Sequence, residues 1–435
     1  MTEITVRNVL WAIGLLPLLV LAAIGFRYLI RGTPIRRVHR SGPHGQVGSV
    51  ADEEFTDVVE LLGKVSLRPG NEVTFTRCGD ETYPRLWEDL RSARRSITLQ
   101  MYYCKMGAVS DQLAAIITER AQAGVKVLFL LDAFGAQDLT EAYLQRLTDA
   151  GVTVRKFRPV QWYAVEKAYN RSHIRVVTVD GLVGWTGGFG LDDKWLGDGR
   201  TVDQWRDTNV RFTGPAVRDL QATFAAGWAE ATGELLAGDL WFAPCPPIEK
   251  GVGVQAGVMH AAPTMGSTVA ERFLALAMSG ARQTLYIANA YFVPDDDFCG
   301  LLAEAARRGV DTRILTAGPL TDTMSTLYAG RARYEELLAA GVRVFEYQPT
   351  MMHAKTLVVD ACFGSAGTMN FDNRSMAFND ETNLVFLDGN LGRQLHQIFL
   401  EDLMFAREIT LEEFRRRPAM ERIKERGARL IARIL

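Results

Sequence analysis

The sequence predicts an α/β protein: two tandem α/β sandwich domains related by a pseudo-twofold axis, preceded by one transmembrane helix. Three observations lead there. Strand-like and helix-like stretches alternate along most of the chain, the pattern of layered α/β units. Their order recurs in the second half, together with a repeated His-x-cation motif. Val9 to Phe26 is uncharged and almost wholly apolar, and Tyr28-Leu29-Ile30 extends it past Arg27, a length that suits one membrane-spanning helix.

The whole-chain properties agree with two globular units. A length of 435 residues accommodates two ordinary domains, and 48% hydrophobic with 23% charged residues is a globular balance. A net charge of -2 gives no general attraction to nucleic acid, so no nucleic-acid partner is expected. The five cysteines (Cys78, Cys104, Cys245, Cys299, Cys362) are scattered and odd in number. They read as thiols in a reducing compartment and not as a disulfide framework.

Residues 1–31 form the expected membrane anchor. The basic flank Arg27, Arg31, Arg36, Arg37 and Arg40 follows it, while only Glu3 and Arg7 precede it. That bias places the rest of the chain in the cytoplasm and argues against a cleaved signal peptide. The flank can also touch an anionic membrane surface, at about 1 kcal/mol per cation. Residues 32–69 read as a linker with at most one short helix near Glu53 to Leu62, and His39 and His44 receive no role.

The first domain is expected over 70–235. Ser96 to Tyr103 reads as a strand, Asp111 to Ala123 as an amphipathic helix stopped by Gly124, and Val125 to Leu131 as a buried strand. Leu139 to Ala150 and Val152 to Phe157 give the next helix and strand. His173 follows on its own strand, and Asp180-Gly181 signals a hairpin to Val183–Gly188. Residues 236–262, with Pro244, Pro246 and Pro247, read as a linker. The second domain, 263–410, repeats the order: Thr284–Tyr291, Phe298–Arg308, Thr312–Ala317, Leu327–Ala340 and Val342–Tyr347, and then His353. The tail, 411–435, reads as a cationic helix, either a solvated face or an interfacial helix with Leu430, Ile431, Ile434 and Leu435 on its apolar side.

The repeated motif carries the chemistry. His173-Ile174-Arg175 with Asp180 and Gly187-Gly188 matches His353-Ala354-Lys355 with Asp360 and Gly367-Thr368, the latter followed by Asn370. On a strand, side chains alternate faces, so His353 and Lys355 point the same way over Leu357 and Val359. Asp360 has the opposite parity and falls at the turn, a structural place. A histidine beside a cation suits a phosphate: the imidazole attacks phosphorus or carries a proton while the cation holds the oxygens. Each copy also opens a later strand with a carboxylate, Asp207 and Glu381, which can fix an imidazole's tautomer.

These residues resemble the phospholipase D superfamily, whose signature is His-x-Lys-x4-Asp-x6-Gly-Ser-x-Asn twice per active site. The chain is similar in particular to bacterial cardiolipin synthases, through Tyr291-Phe292-Val293-Pro294-Asp295, Trp205-Arg206-Asp207-Thr208 and Asn370-Phe371-Asp372-Asn373-Arg374-Ser375, over roughly residues 70 to 435. The resemblance implies two phospholipase D-like domains and transfer of a phosphatidyl group between phospholipids through a covalent phosphohistidine. The implied reaction joins two phosphatidylglycerols into cardiolipin and glycerol, at a bacterial-type cell (inner) membrane.

It further implies that His173 is the nucleophile and His353 the general acid and base. Arg175, Lys355, Asn370, Gly187, Gly188, Gly367 and Thr368 would hold the phosphate, and Asp180 and Asp360 belong to the catalytic motif. Asp207 is expected to orient His173, and Glu381 to orient His353. No cofactor and no catalytic metal are expected.

The sequence departs from the family pattern at four places: Arg175 for Lys, Gly190 for Asn, Thr368 for Ser and Ala361 for Gly. A hydrolytic phosphodiesterase acting on lipid or nucleic acid, or a membrane scaffold on a decayed catalytic fold, are the alternatives. Trp162, Tyr163, Tyr169, Met351 and Met352 are candidates for a lipid entrance.

Overall fold

The computed structural model describes residues 15, 34–39, 48–159, 170–244, 251–264 and 266–432. The expected anchor Val9–Phe26 apart from Leu15, the aromatic residues Trp162, Tyr163 and Tyr169, and most of the basic flank lie outside them. No described helix is long and apolar enough to cross a membrane.

Helix α1 (Glu53–Gly63) leads into β1 (Arg68–Arg77) and α2 (Cys78–Ser92). The first repeat continues with β2 (Ser96–Met101), α3 (Ala108–Gln122), β3 (Lys126–Asp132), α4 (Glu141–Asp149) and β4 (Thr153–Phe157). It closes with β5 (Val176–Val179), β6 (Val183–Gly187), β7 (Thr208–Thr213) and α5 (Ala216–Thr232). The second repeat runs β8 (Val254–Ala261), α6 (Val269–Gly280), β9 (Thr284–Asn289), α7 (Asp296–Arg307), β10 (Asp311–Ala317), α8 (Met324–Ala339) and β11 (Arg343–Tyr347). It ends with β12 (Lys355–Val359), β13 (Phe363–Gly367), α9 (Asn373–Ala377), β14 (Glu381–Leu387) and α10 (Gly389–Leu403). After it come β15 (Ala406–Ile409), α11 (Leu411–Arg415) and α12 (Ala419–Ile431).

The strands form one sheet in the order β15-β11-β10-β9-β12-β13-β14-β8-β1-β7-β6-β5-β2-β3-β4. Read outward from the β8–β1 junction, β14-β13-β12-β9-β10-β11 mirrors β7-β6-β5-β2-β3-β4, which is the pseudo-twofold relation expected from the repeat. The two α/β layers are therefore not separate sandwiches; their sheets run on through antiparallel β1 and β8. Strand β8 corrects the linker expected over 236–262. Its residues Ala256 to Met259 are buried in succession, so it lacks the alternation that marks a half-exposed strand.

Helices cover both faces. On one, α2, α3 and α4 pack on the first half, and α1, α6, α7 and α8 on the second. On the other, Leu220, Phe224 and Trp228 of α5 share a single core with Leu391, Leu395 and Phe399 of α10. Strand β3 divides between these layers: Val127, Phe129 and Leu131 point one way, Leu128 and Leu130 the other. The expected tail helix is broken at Pro418 into α11 and α12. Helix α12 buries Glu425, paired with Arg417 at 2.7 Å, and packs Ala428 near Tyr328, while Met420, Ile423 and Leu430 remain exposed.

Candidate active site

Both histidines lie just before a strand, not on one. His173 and His353 precede β5 and β12 in extended segments that pair with the opposite half. His173 N–H donates to Asp380 O at 3.0 Å, and His353 N–H donates to Arg206 O at 2.6 Å. Asp380 and Arg206 are the residues immediately before Glu381 and Asp207. Each histidine is thus hydrogen-bonded to the chain that delivers the other half's carboxylate.

That crossing reverses the expected pairing. His173 Nδ1 lies 2.9 and 3.0 Å from the two carboxylate oxygens of Glu381, and His353 Nδ1 lies 2.8 Å from Asp207 Oδ2. Asp207 orients His353 and Glu381 orients His173 because the short inter-half bridges set the carboxylates opposite the partner's ring. Both Nε2 atoms are left to act on a substrate.

Asp180 and Asp360 are corrected from the catalytic set. Asp180 accepts from the backbone N–H groups of Arg94, Arg95 and Ser96 at 2.9, 2.8 and 2.9 Å. Asp360 accepts from Arg282, Gln283 and Thr284 at 2.9, 2.7 and 2.8 Å. Each closes the far end of its strand, about 20 Å from the histidine at 3.3 Å per residue. Their positive φ values, 54° and 49°, put them in the turn that returns the hairpin.

The cations are symmetric. Arg175 Nη1 donates to His173 O at 2.8 Å, and Lys355 Nζ donates to His353 O at 2.6 Å. Arg175 therefore occupies the place of the family's lysine without displacement. Among the described residues the buried Arg175 Nε and Asn370 Oδ1 have no hydrogen-bond partner, as expected of groups kept for a ligand. They border a cleft of about 270 Å³ that also includes His173, His353, Tyr102, Trp195, Trp205, Tyr291 and Arg374. A second cavity of about 390 Å³ lies beside Arg158, His260 and Asp380 and contains neither His173 nor His353.

The glycine-rich turns allow close approach of the strands that carry the carboxylates. A Cβ at Gly187 would stand 2.3 Å from Asn209 Oδ1, one at Gly188 2.4 Å from Asp207 Oδ2, and one at Gly367 2.3 Å from Thr382 O. The Thr368 hydroxyl donates to Glu381 Oε2. None of these four residues borders the cleft, and neither does Lys355, whereas Arg175 and Asn370 do.

The missing donors of the first half are replaced by Trp195. A Cβ at Gly190 would fall 2.7 Å from its ring, so the indole fills the room that Asn370 occupies in the other half. Its Nε1–H donates to Asp207 Oδ2 at 2.9 Å, the service that Thr368 gives Glu381. Thr208 N–H supplies Asp207 Oδ1 at 2.8 Å. The indole edge also meets the His353 ring at 5.3 Å between centroids, and Trp205 flanks that ring at 4.8 Å. Tyr102 packs on His173 at 5.1 Å. Met351 and Met352 are buried beneath the inter-half bridge and do not border the cleft, which corrects their reading as a lipid entrance.

Burial and the cations push both imidazoles well below their usual range: burial and then Arg175 and Lys355 at His173, burial and then Lys355 and Arg175 at His353. Burial brings Lys355 down to about 7, opposed by Asp207. Burial raises both Asp207 and Glu381. Both shifts favour the neutral ring, the form that can attack phosphorus. An anion bound beside these cations would offset their charge and make an imidazolium accessible again. Among the described residues no three His, Cys, Asp or Glu side chains gather as a metal site.

Sequence reasoning named the histidines, cations and acids. It gave no role to Tyr102, Trp195, Asp322 or Arg374. Tyr291 alone carried a usable signal, because it matches Tyr103 at the same place in the two repeats.

Comparison with known proteins gives one consistent result. Residues 86–228 and 274–403 match the family described as "Cardiolipin synthase, PLD-like domain". A cardiolipin synthase of Geobacillus kaustophilus is 35% identical over 360 residues, covering 82% of this chain and 71% of the relative. Cardiolipin synthase A of Pseudomonas fluorescens is 33% identical over 376 residues, covering 86% and 77%. Among solved structures, a phosphatidylserine synthase of Haemophilus influenzae shares the fold with a TM-score of 0.66 at 13% identity, covering 88% of this chain and all of that one.

Proposed function

Because the chain belongs to the cardiolipin synthase family of phospholipase D-like proteins, we propose that it transfers a phosphatidyl group from one phospholipid to an alcohol on another. Two phosphatidylglycerols giving cardiolipin and glycerol is the specific reaction. The observation that carries this reading is the pair of crossed His–carboxylate couples whose two histidines share one cleft, each with a buried cation bonded to its histidine's carbonyl. One couple supplies a nucleophile and the other a proton carrier, which phosphodiester exchange needs together.

His173 Nε2 attacks phosphorus, and the bond to the leaving glycerol oxygen breaks as His353 delivers its proton. The acceptor hydroxyl then loses its proton to His353 and attacks, and the phosphorus–nitrogen bond breaks. Arg175, Lys355 and Asn370 hold the non-bridging oxygens while their charge grows. Glu381 and Asp207 steady the rings through Nδ1. Splitting the exchange into two displacements lets an alcohol take the place of water.

The segment Val9–Phe26 spans a bacterial-type cell membrane, and the two repeats work on its cytoplasmic side. Exposed apolar side chains support direct work at a lipid surface. Met106 and Phe134 follow the ends of β2 and β3, and Leu320 and Met324 follow β10, so both halves carry them beside the cleft.

The test is mass spectrometry of the products when purified protein meets phosphatidylglycerol in mixed micelles. Cardiolipin plus free glycerol is expected, falling at least about 10²-fold in His173→Ala and in His353→Ala. Phosphatidic acid in place of cardiolipin would show that water wins at the intermediate and would refute the transferase reading.

A further inference from the structure

Lys194 stands where three aromatic faces meet. Its Nζ lies 3.6 Å from the Trp205 ring centroid, 3.9 Å from that of Tyr103 and 4.8 Å from that of Trp195. All three rings border the cleft, and two of them flank His353. The carboxylate that approaches it, Asp192 Oδ2, stays at 4.0 Å. The other cation on Tyr103, Lys105, differs: it is exposed and leans on Asp138 at 3.7 Å. A cation held by π faces keeps its N–H donors for another partner.

The reaction proposed above brings two anionic lipids together. The cations at the attacked phosphate are Arg175 and Lys355, both tied to the histidine backbones. The acceptor carries its own phosphodiester, one glycerol away from the hydroxyl that His353 deprotonates. A cation for that second phosphate belongs on the His353 side of the cleft, and Lys194 is on that side, against the faces of the two indoles that flank the ring and border the cleft.

Resting on that reading, we infer that Lys194, framed by Tyr103, Trp195 and Trp205, is the subsite for the phosphate of the acceptor lipid. The rings keep the ammonium partly out of water, which strengthens its bond to a phosphate.

Asp192 and Asp322 favour the charged form of Lys194, while Lys105, Arg175 and above all burial oppose it, bringing its pKa down to about 8. The ammonium is therefore present at neutral pH and is lost as pH rises through that value.

The experiment sets two acceptors against each other on one intermediate. The full-length protein is given phosphatidylglycerol and excess ethanol, and the ratio of cardiolipin to phosphatidylethanol is read by mass spectrometry. That ratio is independent of how fast the donor lipid reacts. It is expected to fall at least about tenfold in Lys194→Gln, the value of one charge-assisted hydrogen bond. In the unmodified protein it is expected to fall as pH rises through about 8. A ratio unchanged in the variant, or flat with pH where the variant does not fold, overturns the subsite. An unmodified protein that makes phosphatidylethanol and no cardiolipin overturns the function proposed above, and the subsite with it.

Discussion

Trp195 shows how a site can keep its chemistry while losing its motif. Gly188 has no hydroxyl and Gly190 no amide, so the first half lacks both side chains that serve the second. The indole fills the space left at Gly190 and donates to Asp207. Trp195→Phe keeps the ring and removes that donor. A buried carboxylate that loses a hydrogen bond binds its proton more readily, so the already raised Asp207 rises further. The expected result is a kcat lower by about tenfold, from one bond to a charged group. The acid limb of kcat/KM is also expected to move to higher pH, because protonated Asp207 cannot steady a His353 imidazolium. A fall in activity with an unmoved acid limb would mean that Trp195 only packs. The histidines and cations were legible in the sequence because the repeat displayed them twice. Trp195 was not, because its role arises from a side chain reaching back across the turn into space that Gly190 vacates.

At the scale of elements, the Asp-x turns of the two β-hairpins differ at their second residue, with a measurable consequence. In the first, Asp180 and Gly181 have φ of 54° and 67°; in the second, Asp360 and Ala361 have φ of 49° and 50°. Glycine adopts this left-handed region freely, whereas alanine there costs about 1–2 kcal/mol. Part of that is returned because alanine also restricts the unfolded chain, by about 0.4–1 kcal/mol. Ala361→Gly is therefore expected to stabilise the chain by about 0.5–1 kcal/mol, seen as a higher denaturant midpoint with an unchanged slope. Gly181→Ala is expected to lower it, because its Cβ would also stand 2.8 Å from Trp241 O. A lower midpoint in Ala361→Gly would show that the alanine methyl packs usefully at the turn. The hairpin itself was readable from Asp180-Gly181, and most strands and helices were readable from their periodicity. Strand β8 was not, because a strand buried on both faces has no alternation and three prolines precede it. The crossed carboxylates were hidden for a related reason. Sequence order pairs each acid with the histidine of its own repeat, while the bridges His173–Asp380 and His353–Arg206 pair it with the other.

For the whole molecule, the crossing means that neither half holds a complete site. The repeat predicted the pseudo-twofold relation, but not how tightly it is closed. One sheet runs through β8 and β1, one core joins α5 to α10, and ion pairs cross between the halves. Arg206 of the first half pairs with Asp402 of the second through two bonds, 2.8 and 2.7 Å, with both side chains buried. Arg158 reaches Asp380 in the same way. Arg206 also accepts the His353 N–H and directly precedes Asp207, so this ion pair fixes the element that delivers a catalytic acid. Replacing the pair as a whole with apolar residues can be nearly neutral, but removing one partner strands a buried charge, at about 3–5 kcal/mol. Asp402→Ala is therefore expected to destabilise by about that amount, although the residue touches no substrate. Because the halves share a sheet and a core, calorimetry of the full chain is expected to give one transition, before and after the substitution, moved to lower temperature as a unit. Splitting into two transitions would mean that each half keeps its own stability. The crossed pairs would then be a late docking contact, and the site would open by separation of the halves long before either half melts.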